Sequence, residues 1–589
     1  MFVINMSNIE LAKEHFSMPI TFLEDKNLSL ISDQMANDLE LCDIENGKNV
    51  QQSLYNKVFK PTTKMGKIIL PQWNEYYTNN TQYLKDTQSL IKNYKNVRFN
   101  VENPNQSKSI VDNFLTTWDE IKTNTEFRAK YLFFDWSFLD ILNKYAFFLQ
   151  LLSLYNLASP IFSLIVPILM LFVPFIILKM RGKNISLDNY LQILKQVLRN
   201  HALGQLFNNF SELSWHKRIY TMMSIFFYFF NVYQNILVCL RFKMNMKNIH
   251  KYFDDIKEYI SYTINKIKNF SKYSQKLITY SHFNNAIDIN KQNLENYLES
   301  LSKISPFSFK ITKIMEIGTI MLNFFNFYTD ETLNNSFLQS FGFHGYLDNI
   351  EGLQNNIRDE RINFCKYTSK SCKFKQICHP TLADQEPIKN DINISKNMII
   401  TGPNAAGKTT LIKSTIINLL LSQQIGCGYY EEAKINPYDK IHCYINIPDT
   451  SGRDSLFQAE ARRCKEILDD VYKNNNARHF CIFDELYSGT NPYEAVASAY
   501  GYLNYLILQN NCNYILTTHF INLCDLMKNN KKVLNKHMVV NIDEETQNLA
   551  YTYKFSNGIS NVKGGTFVLK ELEYPEEIIS EAITTLEAL

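Results

Sequence analysis

The spacing of hydrophobic positions changes character along the chain, and each change predicts a different kind of element. Residues 1 to 130 are polar and rich in Asn and Lys, with short helical patterns and few Gly or Pro residues to mark hairpins. They read as irregular helices. From Tyr145 to Leu178, "YAFFLQLLSLYNLASPIFSLIVPILMLFVPFIIL", 34 residues pass without a charged side chain, enough to cross a bilayer once or to enter and turn back. Pro160, Pro167 and Pro174 lie inside this run; each costs about 3 kcal/mol in a helix exposed to water and is better tolerated in a membrane helix. A second uncharged run, Ile219 to Leu240, is also of spanning length and is flanked by His216, Lys217, Arg218 and by Arg241, Lys243.

A large buried helical core is the alternative to a membrane. If both runs span, the segment 180–218 lies opposite the C-terminal domain, and its six basic against two acidic residues run counter to the positive-inside tendency. A hairpin dipping into one leaflet escapes that conflict. Beyond these runs, Phe253, Ile256, Ile260, Ile264 and Ile267 recur at three- and four-residue intervals, as on one face of a long helix. Similar stretches follow through 301–360, and from about residue 375 strand and helix patterns alternate to the end, the mark of an α/β domain. A chain of 589 residues exceeds a single core. The expected layout is multidomain: a polar helical region at 1–130, an apolar helical region at 131–245 with its two candidate membrane segments (145–178 and 219–240), a long-helix region at 246–374 and an α/β domain at 375–589.

Composition changes this picture little. The formal charge of +3, from 61 basic and 58 acidic residues, carries no global nucleic-acid signature, so any basic surface is local. The 41 Phe and 35 Tyr, with many Asn, Lys and Ile, fit the codon bias of an AT-rich genome such as a large DNA virus or a protist. Eleven scattered cysteines suit a reducing, intracellular compartment, and the intervals in Cys365, Cys372, Cys378 and His379 fit no common zinc pattern. The N-terminus lacks the basic and apolar regions of a cleavable secretory signal.

Candidate chemistry is concentrated in the last third. Gly402-Pro403-Asn404-Ala405-Ala406-Gly407-Lys408-Thr409 satisfies G-x-x-x-x-G-K-[ST]; it follows a predicted strand, Met398 to Thr401, and opens a predicted helix, Lys408 to Leu421. In that context backbone amides and a helix N-terminus surround phosphates, Lys408 reaches the β- and γ-phosphates and Thr409 ligates Mg²⁺. About 75 residues on, the apolar strand Phe480 to Phe483 ends in Asp484 and Glu485, suited to hold Mg²⁺ through water and to polarise the attacking water. A third strand runs into His519, where an imidazole can contact the γ-phosphate. Ser455 is a good N-cap for a helix to Val471 that carries Phe457, Ala461, Cys464, Leu468 and Val471 on one face, a second anion site separate from the first. Two such sites suggest a composite arrangement, one subunit's serine touching its partner's nucleotide.

The series GPNAAGKTT, SGRDSLFQAE, FDELYSGTNPYEA and TTHF resembles, in order and spacing, the ABC-type ATPase domain of the MutS family of DNA mismatch repair proteins. "CHPTLADQEPIKNDI" at 378–392 and the tail from Tyr553 resemble that family's approach to the phosphate loop and its closing elements. The resemblance covers 375–589, and the long helices before it are similar to the family's core and lever region. It implies an ATPase using ATP and Mg²⁺, with Gly402 to Thr410 (Thr410 included) binding nucleotide, Thr409 and Asp484 at the metal, Glu485 activating water, and His519 as switch. Ser455 becomes the signature serine acting in trans, Ser488 to Asn491 the loop facing the partner, and the assembly an ATP-sandwich homodimer or a pair with a MutS-like partner.

The signature S-L-F-Q-A-E-A-R-R looks closer to smaller, divergent MutS relatives, and no mismatch-reading domain is recognised before the helices. Phe22-Leu23-Glu24 is a chance match to the reader's Phe-x-Glu. Two functions therefore stand. One is a DNA-associated ATPase whose helical arms hold double-stranded DNA, with Lys266, Lys268, Lys272 and Lys276 as possible phosphate contacts. The other is a membrane-anchored ATPase acting on a protein or membrane assembly. The location is membrane-associated or else cytoplasmic, nuclear or in a viral factory. A kinase is a weak third, since no acceptor site is evident.

Overall fold

A computed structural model describes residues 9–42, 45–46, 49–50, 53–95, 104–182, 186–200, 214–308, 310–445, 455–542, 549–560, 562 and 564–588. The architecture is a mostly helical N-terminal region with long helices, followed by a mixed α/β region. Chain contacts define two compact units. One is built from 98–265 and 290–337, the other from 1–97, 266–289 and 338–589.

The first unit contains the longest helices. The first uncharged run is one uninterrupted helix, α1 (Ala146–Met180, 35 residues), about 52 Å long at 1.5 Å per residue against a hydrocarbon core of about 30 Å. Its three prolines do not break it, so the expected possibility of a turn back inside the run is not what the chain does. The second run is the start of α2 (Trp215–Ser274, 60 residues). In the most apolar stretch of α2 0% of the residues are buried, and in α1 only 22%. Phe147, Ile161 and Phe162 on α1, and Met222, Phe226 and Phe229 on α2, are among the exposed side chains. Among the described side chains these stretches are mostly exposed. Of the basic segment between them, 183–185 and 201–213 lie outside the described residues. Further along α2 the expected face is buried: Phe253, Ile256, Ile260, Ile264 and Ile267 are each 6% exposed or less. Within this unit the α2 face meets an aromatic cluster in which Phe114 stacks on Tyr259 at 4.0 Å and Phe127 on Tyr328 at 3.8 Å.

The second unit is organised by a six-stranded sheet. In chain order its elements are β1 (Asn397–Thr401), α3 (Lys408–Gln424), β2 (Lys440–Tyr444), α4 (Leu456–Lys473), β3 (His479–Asp484), α5 (Pro492–Leu508), β4 (Cys512–Thr518), β5 (Val533–Ile542) and β6 (Leu549–Asn557). The strand order is β2-β3-β4-β1-β5-β6. All neighbours are parallel except the closing pair β5–β6. β1 is buried at all five positions, as expected for a parallel strand covered on both faces. β4 lies between β1 and β3, so the carboxyl ends of three strands open together, where ligands bind in open α/β sheets.

α3 is buried nearly all round, polar residues included, and each buried polar group is matched. Gln424 donates to the Trp73 and Tyr76 carbonyls at 2.6 and 3.0 Å, Gln423 to Thr78 and Tyr438 at 3.2 and 2.8 Å, and Asn418 to Cys378 at 3.0 Å. Residues 9–95, a set of short helices with the ribbon Leu28–Leu30/Tyr76–Thr78, thus share a core with the α/β sheet. Phe22 packs edge-on against Phe283 at 5.8 Å, as a core side chain. Lys266 is buried, 3.7 Å from Glu351, which removes it from the lysines proposed to touch phosphate; Lys268, Lys272 and Lys276 are exposed.

All eleven cysteines are free thiols. Burial pushes Cys365 and Cys372 up to about 11, and their sulfurs face the Gly426 and Asn436 carbonyls at 3.3 and 3.2 Å, so they are protonated core thiols.

Candidate nucleotide site

The loop Gly402–Gly407 joins the carboxyl end of β1 to the start of α3. Gly407, the residue before α3, has φ +90, and a Cβ there would sit 3.2 Å from the Tyr553 ring. Only glycine takes that backbone without strain. Gly407 provides no side-chain cap, so the first-turn N–H groups of α3 are left for an anion. Ala405 also has a positive φ of 61. Gly402, Pro403 and Ala406 are buried, whereas Asn404, Ala405 and Thr410 face solvent.

Lys408 is 5% exposed, and burial lowers its pKa against the opposing pull of Glu485 and Asp484. Its ammonium donates to the Gly402 and Pro403 carbonyls at 3.0 and 3.2 Å, so it is folded onto its own loop where a phosphate oxygen could replace those carbonyls. Thr409 Oγ1 donates to Asp484 Oδ2 at 2.8 Å, and Thr517 on β4 donates to Asp484 Oδ1. The register that places Asp484 opposite Thr517 and Thr518 opposite Thr401 brings these groups from three strands to one edge. Thr409 and Asp484 offer adjacent hard oxygen donors, the chemistry that suits Mg²⁺.

Glu485 follows Asp484 with φ 55, and Tyr487 has φ 58. Left-handed backbone at non-glycine residues costs on the order of 1–3 kcal/mol and concentrates at functional sites. The turn aims Glu485 at His519, whose Nε2 is 2.9 Å from Glu485 Oε1 and 3.0 Å from Lys408 Nζ. One nitrogen cannot both accept from the ammonium and donate to the carboxylate. Lys408 already has two carbonyl acceptors, so the proton belongs on Nε2 and is donated to Glu485. That hydrogen bond, ahead of the opposing effect of burial, holds the Glu485 carboxyl below its ordinary value.

Ser455 is not part of this cluster. It caps α4 in a capping box, its Oγ accepting from Gln458 N at 3.3 Å and its N–H donating to Gln458 Oε1 at 3.0 Å. The helix and its face are as expected, with Cys464 and Val471 buried. Ser451 to Asp454, the first residues of the SGRDSLFQAE motif, lie outside the described residues.

One contact beside the candidate site was missed by sequence reasoning. Glu460 on α4, 2% exposed, accepts from Ser488 N at 3.0 Å, Ser488 Oγ at 2.8 Å and Gly489 N at 3.2 Å. A Cβ on Gly489 would lie 2.7 Å from Leu456 Cγ. The loop after β3 is thereby pressed onto the start of α4, forming one patch with the exposed Ser455, Ser488 and Gly489. An acidic residue within an amphipathic helix is ordinarily solvated, and only its burial reveals the role. Elsewhere in this unit a cavity of about 690 Å³, lined in part by Lys57, Lys60, Arg361 and Tyr429, contains none of the nucleotide-site residues.

Residues 398–589 match the family model described as MutS domain V. Over an alignment of 220 residues the chain is 30% identical to the DNA mismatch repair protein MSH2 of Saccharomyces cerevisiae, covering 35% of this chain and 22% of that protein. It is also 30% identical to the DNA mismatch repair protein MutS of Persephonella marina (36% and 25%) and 29% identical to that of Bacteroides thetaiotaomicron (37% and 26%). The chain thus spans about a quarter of the length of these curated relatives.

Proposed function

We propose that this chain binds and hydrolyses ATP, and that two copies, or one copy and a MutS-like partner, close on the nucleotide and open after hydrolysis. The observation that carries this reading is the convergence of Lys408, Thr409, Asp484, Glu485 and His519 at the carboxyl ends of β1, β3 and β4. In this reading the Gly402–Thr410 segment and the Lys408 ammonium hold the phosphate oxygens, displacing the Gly402 and Pro403 carbonyls. Mg²⁺, held by Thr409 and Asp484, supplies positive charge to the phosphates when bound. Glu485 accepts a proton from the attacking water, and His519 positions that carboxylate through its Nε2–H. Ser455, with its helix N-terminus, faces the nucleotide of the opposite copy, and Ser488 to Asn491 make up the adjoining contact surface.

Lys408→Ala should abolish nucleotide binding measured by calorimetry, while Glu485→Gln should bind normally and stop turnover. Turnover at the normal rate by the glutamine variant would remove Glu485 from the role of base.

Double-stranded DNA is the partner class this reading inherits from the mismatch repair relatives. Lys268 and Lys272, one helical turn apart and exposed, are the cations this reading sets against phosphate, and such binding would weaken steeply with salt. A second reading rests on a different observation. The exposed apolar stretches of α1 and α2 are what a membrane-attached member would present to lipid, its ATPase cycle then acting on a protein or membrane assembly.

A further inference from the structure

His442, Asp470 and His479 take no part in the nucleotide site, yet three elements bring them together. Parallel pairing of β2 with β3 sets Lys440 opposite His479 and His442 opposite Cys481, so both imidazoles leave the same face of the sheet, one step apart on neighbouring strands. α4 covers that face, its Cys464, Ile467 and Val471 packing with Cys481 and Phe483, and Asp470 lies at the C-terminal end of this helix. His442 Nε2 is 3.0 Å from His479 Nδ1 and 3.6 Å from Asp470 Oδ2. All three donor atoms lie within 4.8 Å of one another.

We propose that His442, His479 and Asp470 bind one divalent transition ion of the zinc class, which fastens the C-terminal end of α4 to β2 and β3. Tetrahedral bonds of about 2.0–2.1 Å place donor atoms about 3.3 Å apart. The distances of 3.0 and 3.6 Å bracket that separation, and the remaining pair, His479 with Asp470, lies within 4.8 Å and must close by movement of the partly exposed Asp470 side chain. Two imidazole nitrogens and one carboxylate oxygen exclude a site built for Mg²⁺ or Ca²⁺, and the fourth position falls to water.

The ring protonation fits. His479 Nε2 lies 3.0 Å from the Asn474 carbonyl, which can only accept, so the proton is on Nε2 and the Nδ1 lone pair faces His442. A carbonyl behind a ligating histidine is the support such ligands use. His442 donates Nε2–H to His479, so ligation through Nε2 requires that proton to leave or to move to Nδ1. The rings are stacked at 9°. Asp470, 37% exposed, lies toward solvent and gives the ion its way in. Ser455 and Asp470 sit at opposite ends of α4, about 22 Å apart, so this ion would not touch the nucleotide.

The test is calorimetric titration of Zn²⁺ into the untagged, chelator-treated full chain in excess Mg²⁺, paired with the visible spectrum of the Co²⁺ form. The expected result is one equivalent per chain and a tetrahedral Co²⁺ spectrum without a thiolate charge-transfer band. His442→Gln and Asp470→Asn should each weaken binding by on the order of 10–100-fold or more, while Cys365→Ser leaves it unchanged. Absence of binding, binding that survives in the double variant, or a thiolate band that places the metal on cysteine would each overturn the proposal. The Co²⁺ spectrum of the wild-type chain decides the matter should the variants fail to fold, and nucleotide binding by Lys408 is unaffected by either outcome.

Discussion

Replacing Glu460 by glutamine keeps the side chain's shape and removes its charge, which isolates what this carboxylate does for the loop after β3. In the native chain Oε1 receives Ser488 N–H and Oγ–H, at 3.0 and 2.8 Å, and Oε2 receives Gly489 N–H at 3.2 Å. A glutamine keeps one acceptor oxygen and turns an NH₂ toward Gly489 N–H, donor against donor. One charge-assisted hydrogen bond, worth about 1.5–3 kcal/mol, is lost and two others are weakened to the neutral range. The sum is about 2–4 kcal/mol in holding the loop on α4, discounted because Ser488 and Gly489 are exposed and water can replace part of what is lost.

Local opening at that cost exposes the amides directly, so native-state hydrogen exchange is the assay. Exchange at Ser488 and Gly489 should accelerate roughly 30- to 700-fold in Glu460→Gln, with the central strands β1 and β4 unchanged. Because this loop and Ser455 form one patch, the variant should also lose ATPase activity while binding nucleotide as before. Unchanged exchange at Ser488 and Gly489 would refute the reasoning, since it would mean that the loop is held by its contacts with Leu456 and not by the carboxylate.

Acid should uncouple Glu485 from His519. The Glu485 carboxyl is held below its ordinary 4.5 by His519, so the contact stabilises the fold above that value and its contribution is lost as the pH falls through the lower folded value. The difference in urea midpoint between wild type and His519→Ala should therefore shrink as pH drops below 4.5; a difference that grows there would contradict the assignment. The apolar helices make a separate prediction: the full chain should float with phosphatidylcholine vesicles, and Phe226→Asp with Phe230→Asp, at about 2.5–3.5 kcal/mol per buried aspartate, should leave it at the bottom of the gradient. Wild-type chain that stays monodisperse without detergent and does not float would end the membrane reading.

The α/β region was readable because its signals are local. Continuous apolar runs such as Phe480 to Phe483 mark strands buried on both faces, the glycines bounding 402–407 mark the loop, and the spacing of Phe253 through Ile267 marks one helical face. The contacts that escaped are long-range. Nothing near Gln423 and Gln424 shows that their amides satisfy the carbonyls of Trp73, Tyr76 and Thr78, so the placing of residues 9–95 against the α/β core was not legible. Lys266 looked like a solvated cation because periodicity alone does not separate the edge of a buried face from solvent, and Glu351 is its partner only in three dimensions. His442 and His479 are 37 residues apart, a spacing with no metal signature, and meet only because β2 and β3 pair. The prolines of α1 were read as better tolerated in a membrane helix, and the helix runs through all three.

Mixing two inactive variants tests most directly whether two copies complete each other's nucleotide sites. Lys408→Ala chains lack the phosphate lysine but supply Ser455, and Ser455→Ala chains have the lysine and lack the serine. In a mixed dimer one of the two composite sites is whole. At equal concentrations half the dimers are mixed, so hydrolysis should rise to about a quarter of the wild-type rate from a near-zero rate for either variant alone. A mixture that hydrolyses no faster than the average of its components would contradict the account, because each chain would then be working with its own residues only.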